Sequence, residues 1–112
     1  MEIAVESEKE AGVVRIALTG DLDVSTAPSV EKRLIELEDG RNPERVIIDL
    51  RGLQFIDSTG LSLLINADRR GRQAGRHVTV VSGSGAPRRI LETTGLKGRL
   101  DIVEDAPPPG QA

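Results

Sequence analysis

Val46-Ile47-Ile48-Asp49-Leu50, followed by Leu53-Gln54-Phe55-Ile56-Asp57-Ser58-Thr59-Gly60-Leu61, is the stretch that decides the fold. The first five residues form a nearly continuous apolar run, as expected of a central parallel strand covered on both faces. From Leu61 to Asp68 the chain reads Leu-Ser-Leu-Leu-Ile-Asn-Ala-Asp, its most helix-like run. Between the two sits a polar knot, Asp57-Ser58-Thr59-Gly60. Asp, Ser and Thr accept hydrogen bonds from the free amides of a helix N-terminus, so one of them is expected to cap. A hydroxyl fixed there lies in a positive local field among donors suited to an anion, and can carry a phosphate at little cost to the fold.

Upstream, Ile3-Ala4-Val5 is a short strand candidate, ended by the charged run Glu6-Ser7-Glu8-Lys9-Glu10. Val14, Ile16 and Leu18 then alternate with smaller or polar residues, which predicts a half-buried strand paired with the first as a hairpin. Gly20 to Thr26 reads as a loop with two acids and two hydroxyls. Ala27, Val30, Leu34 and Leu37 recur at helical spacing behind Pro28, with Asp39-Gly40 as the stop. Downstream, the central helix is expected to run to about Ala74, with Gly71 and Gly75 as candidate ends. A strand follows at Val78–Val81, then a turn at Ser82–Pro87, a short helix from Arg88 to Thr94 and a weak last strand around Leu100 and Ile102. This alternation implies right-handed crossovers and a mainly parallel sheet with an antiparallel N-terminal strand. Sites in such sheets collect at the carboxyl ends of the strands, so the loops at 21–26, 55–60 and 82–87 are expected to be neighbours.

The chain has 112 residues, enough for one domain. Its only aromatic is Phe55, so the core is aliphatic and no platform for stacking bases exists. A net charge of −3 speaks against nucleic acid as a partner. Arg69, Arg70, Arg72 and Arg76 are read as favourable charges near a helix C-terminus. With no cysteine, disulfides and thiolate metal sites are excluded. No apolar run approaches the roughly 20 residues of a membrane helix, and Met1 to Glu6 lacks signal-peptide character, so a soluble cytoplasmic protein is expected.

These marks resemble the bacterial anti-sigma factor antagonists, the stand-alone form of the STAS domain. Three features carry the likeness: Gly20-Asp21-Leu22-Asp23 with Thr26-Ala27, the strand Val46–Leu50, and above all Phe55-Ile56-Asp57-Ser58-Thr59-Gly60-Leu61. The resemblance spans residues 1–105, leaving 106–112 as a proline-rich tail expected to be disordered. It implies a single-domain α/β STAS fold and a partner-switching role in stress response or sporulation. In that family an anti-sigma factor, itself a serine kinase, phosphorylates the Ser after the Asp. The unphosphorylated antagonist captures the kinase and frees the sigma factor, and a metal-dependent serine phosphatase resets the switch. By position the phosphoacceptor is Ser58, and Asp21, Asp23, Thr26, Asp57, Thr59 and Gly60 join it in lining the surface shown to the kinase. No cofactor or metal is implied.

Plainer readings stand beside these. Ser58 or Thr59 alone would be read as a simple cap. Asp21 and Asp23 can be turn formers. A hydrolase would need Ser58 activated by His77, the only histidine, which is expected at the opposite end of the sheet, so no enzyme is expected. Gly83-Ser84-Gly85 lacks the third glycine and the lysine of phosphate loops. A non-switching STAS module of a transporter or scaffold complex is the alternative from another functional class.

Overall fold

The first strand and its turn show how local chemistry sets the sheet. In the computed structural model, which describes residues 3–105, β1 (Ile3–Glu10) pairs antiparallel with β2 (Val13–Leu22). The charged run expected to end the first strand instead continues it to Glu10. An edge strand tolerates this, because Glu6, Glu8 and Glu10 alternate onto solvent and discourage pairing with another sheet. Ala11 and Gly12 close the hairpin with φ of 51° and 78°, the left-handed pair that fits the twist of a two-residue turn.

Four further elements alternate from there: α1 (Ala27–Arg41), β3 (Arg45–Ile56), α2 (Ser58–Ala74) and β4 (His77–Val81). α3 (Ala86–Thr93), a 3-10 turn (Leu96–Gly98) and β5 (Asp101–Val103) complete the described chain. The sheet order follows the sequence, β1-β2-β3-β4-β5, and every pair after the hairpin is parallel. The expected mixed sheet with Val46–Leu50 at its centre is therefore present. α1 runs through Asp39-Gly40 and stops at Asn42, whose left-handed backbone sends its amide to the Glu38 carbonyl. Residues 106–112, expected as a disordered tail, lie outside the described residues.

β3 is longer than its apolar run predicts, and two bulges explain why. Ala17 pairs with Asp49 but Thr19 with Gly52, and Gly20 pairs with Leu53 but Asp21 with Phe55. Each shift inserts one extra residue into β3, which moves its buried positions from Leu50 to Leu53 to Ile56, three apart rather than two. Asp49 stabilises the first bulge: Oδ1 accepts from the Arg51 amide while both carboxylate oxygens accept from the Arg51 guanidinium. At Gly52 a side chain would meet the Leu18 carbonyl at 2.8 Å, so the bulge requires glycine. The extension carries the chain to Asp57 beside Leu22, where the site forms.

One aliphatic cluster joins Val14, Ile16 and Leu18 of β2, Val46, Ile48 and Leu50 of β3 and Val78 and Val80 of β4 to buried residues of all three helices. The helices thus share one face of the sheet. The central strand is nonetheless covered on both faces, as its apolar run predicts. Ile47 and Val81 point to the other face, yet are 2% and 0% exposed. There they lie among neighbours such as Arg15, Asp49, Thr79 and Val103 in the strand register. The arginine cluster at the end of α2 and just beyond it also divides. Arg70 spans to Glu31 and Glu38 at 2.6 and 2.7 Å, and Arg76 reaches Glu38 at 3.7 Å and the Pro43 carbonyl. Glu38 is 4% exposed, so these arginines neutralise a buried carboxylate between α1 and α2.

Two outcomes follow from this core. Ile48→Ala should lower unfolding stability by about 2–5 kcal/mol in a urea melt, whereas Val24→Ala at a 71% exposed position should change it by less than about 0.5 kcal/mol. Acid should also unfold the protein in a defined direction. Burial alone would raise the Asp49 carboxyl, but the Arg51 hydrogen bonds and charge outweigh it and hold the group below its ordinary 3.8. Asp101 is likewise lowered, burial being outweighed by hydrogen bonds from His77 and Thr79. The folded state therefore binds fewer protons, and its gain is full above the unfolded carboxylate value and lost as pH falls below about 4. Urea midpoints measured across that range should fall for the wild type and fall less steeply for Asp49→Asn.

Candidate functional site

The site is built where β2 and β3 release the chain side by side. The Asp57 amide donates to the Leu22 carbonyl at 3.1 Å, fixing the end of β3 against the end of β2. Asp57 is the N-cap of α2, with extended backbone, and its Oδ1 accepts from the Thr59 and Gly60 amides at 2.9 and 3.1 Å. Neither hydroxyl of the polar knot does the capping. The other carboxylate oxygen accepts from the Val24 amide at 3.2 Å, across 33 residues of sequence. One side chain therefore holds both loops.

The loop after β2 is shaped by Asp23. Its Oδ1 accepts from the Ser25 amide and hydroxyl at 2.9 and 2.7 Å and from the Thr26 amide at 3.1 Å. Thr26 Oγ1 donates to the Asp21 carbonyl at 2.7 Å and accepts from the Asp23 amide at 3.0 Å. The Ser25 hydroxyl, more than any other contact, stabilises the charged form and holds the Asp23 carboxyl below its ordinary value; burial opposes it. Asp23 and Thr26 are 3% and 6% exposed, so both act within the loop. Gly60 is buried too. A side chain there would meet Ile56 at 2.7 Å and the Leu22 carbonyl at 2.9 Å, so the first turn of α2 can sit on the strands only with glycine.

Of the residues expected to face a partner, Ser58 is exposed, Asp21, Asp57 and Thr59 are half-buried, and Asp23, Thr26 and Gly60 are frame. Ser58 is the first residue of α2, and its hydroxyl makes no hydrogen bond among the described residues. Two apolar neighbours escape sequence reasoning. Val24 is 71% and Phe55 44% exposed, one in each loop-bearing segment flanking Ser58. The usable signal is an apolar residue in an otherwise polar loop, and an aromatic at a strand end beside a serine. Thr59 opens a cleft of about 230 Å³ between the first turns of α1 and α2, with Ala27, Pro28, Ser62 and Leu63 in its walls.

The third loop expected here, residues 82–87, meets β3 at Arg51 and borders the end of β5. Ser82 and Gly83 donate their amides to the Val103 and Glu104 carbonyls, and Gly83 lies against the Arg51 side chain. His77 opens β4 at its amino end and pairs with Asp101 at 2.7 Å, whereas Ser58 follows the carboxyl end of β3. A serine–histidine pair is thus excluded by topology. Among the described residues no group of acids and histidine has the arrangement of a metal site, and no helix is long and apolar enough to cross a membrane.

A single sheet with its helices on one face, and a serine opening the Asp57-capped helix after the central strand, belongs to a known class. The STAS domain profile matches residues 4–106, and the chain belongs to the STAS domain family. Its relatives include the anti-sigma F factor antagonist of Paenibacillus polymyxa, 30% identical over 94% of this chain and 90% of that protein. The anti-sigma-B factor antagonist of Staphylococcus aureus is 27% identical over 93% of this chain and 95% of its own. Among solved structures, an anti-sigma factor antagonist from Mycobacterium paratuberculosis superposes with a TM-score of 0.80 at 27% identity, covering 93% of this chain and 87% of that one.

Removing the cap should separate Asp57 from its neighbour. Asp57→Ala is expected to cost about 0.5–2 kcal/mol in a urea melt, since two helix amides lose their acceptor. Ser58→Ala should cost less than about 0.5 kcal/mol, because nothing is bonded to its hydroxyl. The reverse ranking would show that Ser58 carries the cap.

Proposed function

We propose that this chain is an anti-sigma factor antagonist working by partner switching, with Ser58 as its phosphoacceptor. The observation that carries this reading is the exposed, unbonded Ser58 hydroxyl at the first position of α2, on a frame built by its neighbours. A kinase needs a hydroxyl it can reach without unfolding the substrate, and this one is free. The relatives named above supply the functional class.

In this reading the unphosphorylated chain docks on an anti-sigma factor that is a serine kinase. Val24 and Phe55 give apolar contact, the cleft beginning at Thr59 receives a partner side chain, and Ser58 meets the partner at close range. Asp23, Thr26 and Gly60 serve the interface by holding its shape. Phosphorylation adds about −1.5 to −2 charge near neutral pH. The Thr59 and Gly60 amides are already bonded to Asp57, so they cannot fully absorb that charge. With Asp21 and Asp57 nearby in the same pair of loops, the surface becomes strongly acidic while the fold stays intact. The kinase then lets go and rebinds its sigma factor until a metal-dependent serine phosphatase removes the group. The chain acts as a substrate and partner in this cycle and performs no catalysis.

The test incubates wild type, Ser58→Ala and Thr59→Val with the cognate kinase and ATP, maps phosphate by mass spectrometry and measures kinase binding. Phosphate on wild type and Thr59→Val but absent from Ser58→Ala is expected, with affinity falling about a hundredfold or more on phosphorylation. Ser58→Ala should bind and remain bound. Phosphate on Ser58→Ala would move the acceptor, and unchanged affinity of the phosphorylated chain would leave a non-switching interaction module.

A further inference from the structure

We infer that the far end of α2 carries a second binding site, for a small phosphate-bearing anion, in the cleft between α2 and the segment leading into β5. The cleft has a volume of about 380 Å³ and is lined by Ile65, Asp68, Arg69 and Arg72 of α2 and by Gly98, Arg99 and Leu100. The spacing of the α2 residues places them on one helix face. Across from them, the 3-10 turn and its exit form the second wall.

The charge of this cleft is unusual for the molecule that contains it. The chain as a whole carries −3, yet three arginines here face a single carboxylate. The neighbouring arginines are used up: Arg70 of α2 and Arg76 just beyond it serve Glu31 and Glu38. Arg72 bonds Asp68 at 2.8 Å and reaches the Arg99 carbonyl at 3.4 Å, which ties the two walls together. Arg69 and Arg99 have no ion pair among the described residues, and both are exposed. Two cations are left unbalanced, matching the charge of about −1.5 to −2 on a phosphate monoester near neutral pH.

Size and geometry favour a small ligand over a peptide. The volume lies at the low end of small-molecule sites. The α2 wall from Ile65 to Arg72 is only about 10 Å long, far short of the roughly 800 Å² per partner of a standard protein interface. Guanidinium groups present paired donors that match phosphate oxygens. The partial negative charge at the C-terminal end of α2 works against an anion, so the arginines must supply the binding. That makes their substitution decisive. The site lies at the opposite end of α2 from Ser58, and its test is independent of phosphorylation.

The experiment titrates the full chain with inorganic phosphate, pyrophosphate and adenosine monophosphate at low salt, following amide shifts by NMR. Saturable shifts confined to residues 65–72 and 98–100 are expected, with dissociation constants of about 1 mM or tighter for the best probe. Arg69→Gln with Arg99→Gln should weaken binding at least about tenfold, while Arg88→Gln, in the separate cleft by Glu92 and Glu104, should leave it unchanged. Both substituted positions are exposed, and unchanged shifts elsewhere in the double variant verify its fold. Absence of saturable shifts up to about 10 mM, or equal binding by the double variant, would overturn the proposal. Tighter binding of a glutamate-rich peptide than of any phosphate probe would overturn it in favour of protein docking.

Discussion

The Asp57 carboxylate is the contact on which the working end of this protein depends. One oxygen caps α2 and the other holds the loop that follows β2, while the backbone of the same residue is bonded to Leu22. Without it the Val24 loop and the first turn of α2 would lose the side chain that ties them together, leaving only the strand ladder beneath. With it, a serine at a strand-to-helix junction becomes a fixed point on a surface. Because the cap is Asp57, the Ser58 hydroxyl is left without a structural duty. A change at that hydroxyl need not disturb the fold.

Everything beneath this contact serves to bring the ends of β2 and β3 together. The two bulges lengthen β3 past its apolar run, Asp49 and Gly52 make the first of them possible, and Gly60 lets α2 settle onto Leu22 and Ile56. The Asp23 loop completes the arrangement with bonds made almost wholly inside itself. The Ser25 and Thr26 donors around the Asp23 carboxylate outweigh its burial and favour its charged form near neutral pH. The acids of this end thus have different duties. Asp23 and Asp57 build the frame, and Asp21 adds charge to the rim.

How much of this is legible in the sequence depends on whether periodicity is kept. Val14, Ile16 and Leu18 alternate, and Leu61 to Asp68 repeats at helical spacing, so strand order and helix positions can be read directly. Beyond Leu50 the pattern fails, because Leu53 and Ile56 are three apart, which resembles neither a strand nor a clear helix. Only the bulges make sense of it, and a bulge leaves no periodic trace. The charged end of β1 misleads for a different reason: its glutamates alternate onto solvent while Ile3 and Val5 pack toward the core, so charge there marks an exposed strand edge and not the strand's end. That the helices occupy only one face of the sheet is hidden as well. Ile47 and Val81 are buried as thoroughly as core residues, so their side chains do not show whether a helix or long neighbouring side chains cover them. At the site, Ser58 stands out because it follows Asp57, but the division between frame and exposed residues needs the loop geometry.

The central claim is that phosphate on Ser58 changes what this surface repels while leaving its frame in place. Amide hydrogen exchange at Val24, Thr59 and Gly60, the three donors to Asp57, tests it most directly when measured before and after phosphorylation. Protection of all three should survive, together with that of the β3 core around Ile48. Loss of protection at Val24, Thr59 and Gly60 on phosphorylation, with the core unchanged, would show that the phosphate dismantles the Asp57 bridge and switches the protein by local unfolding instead.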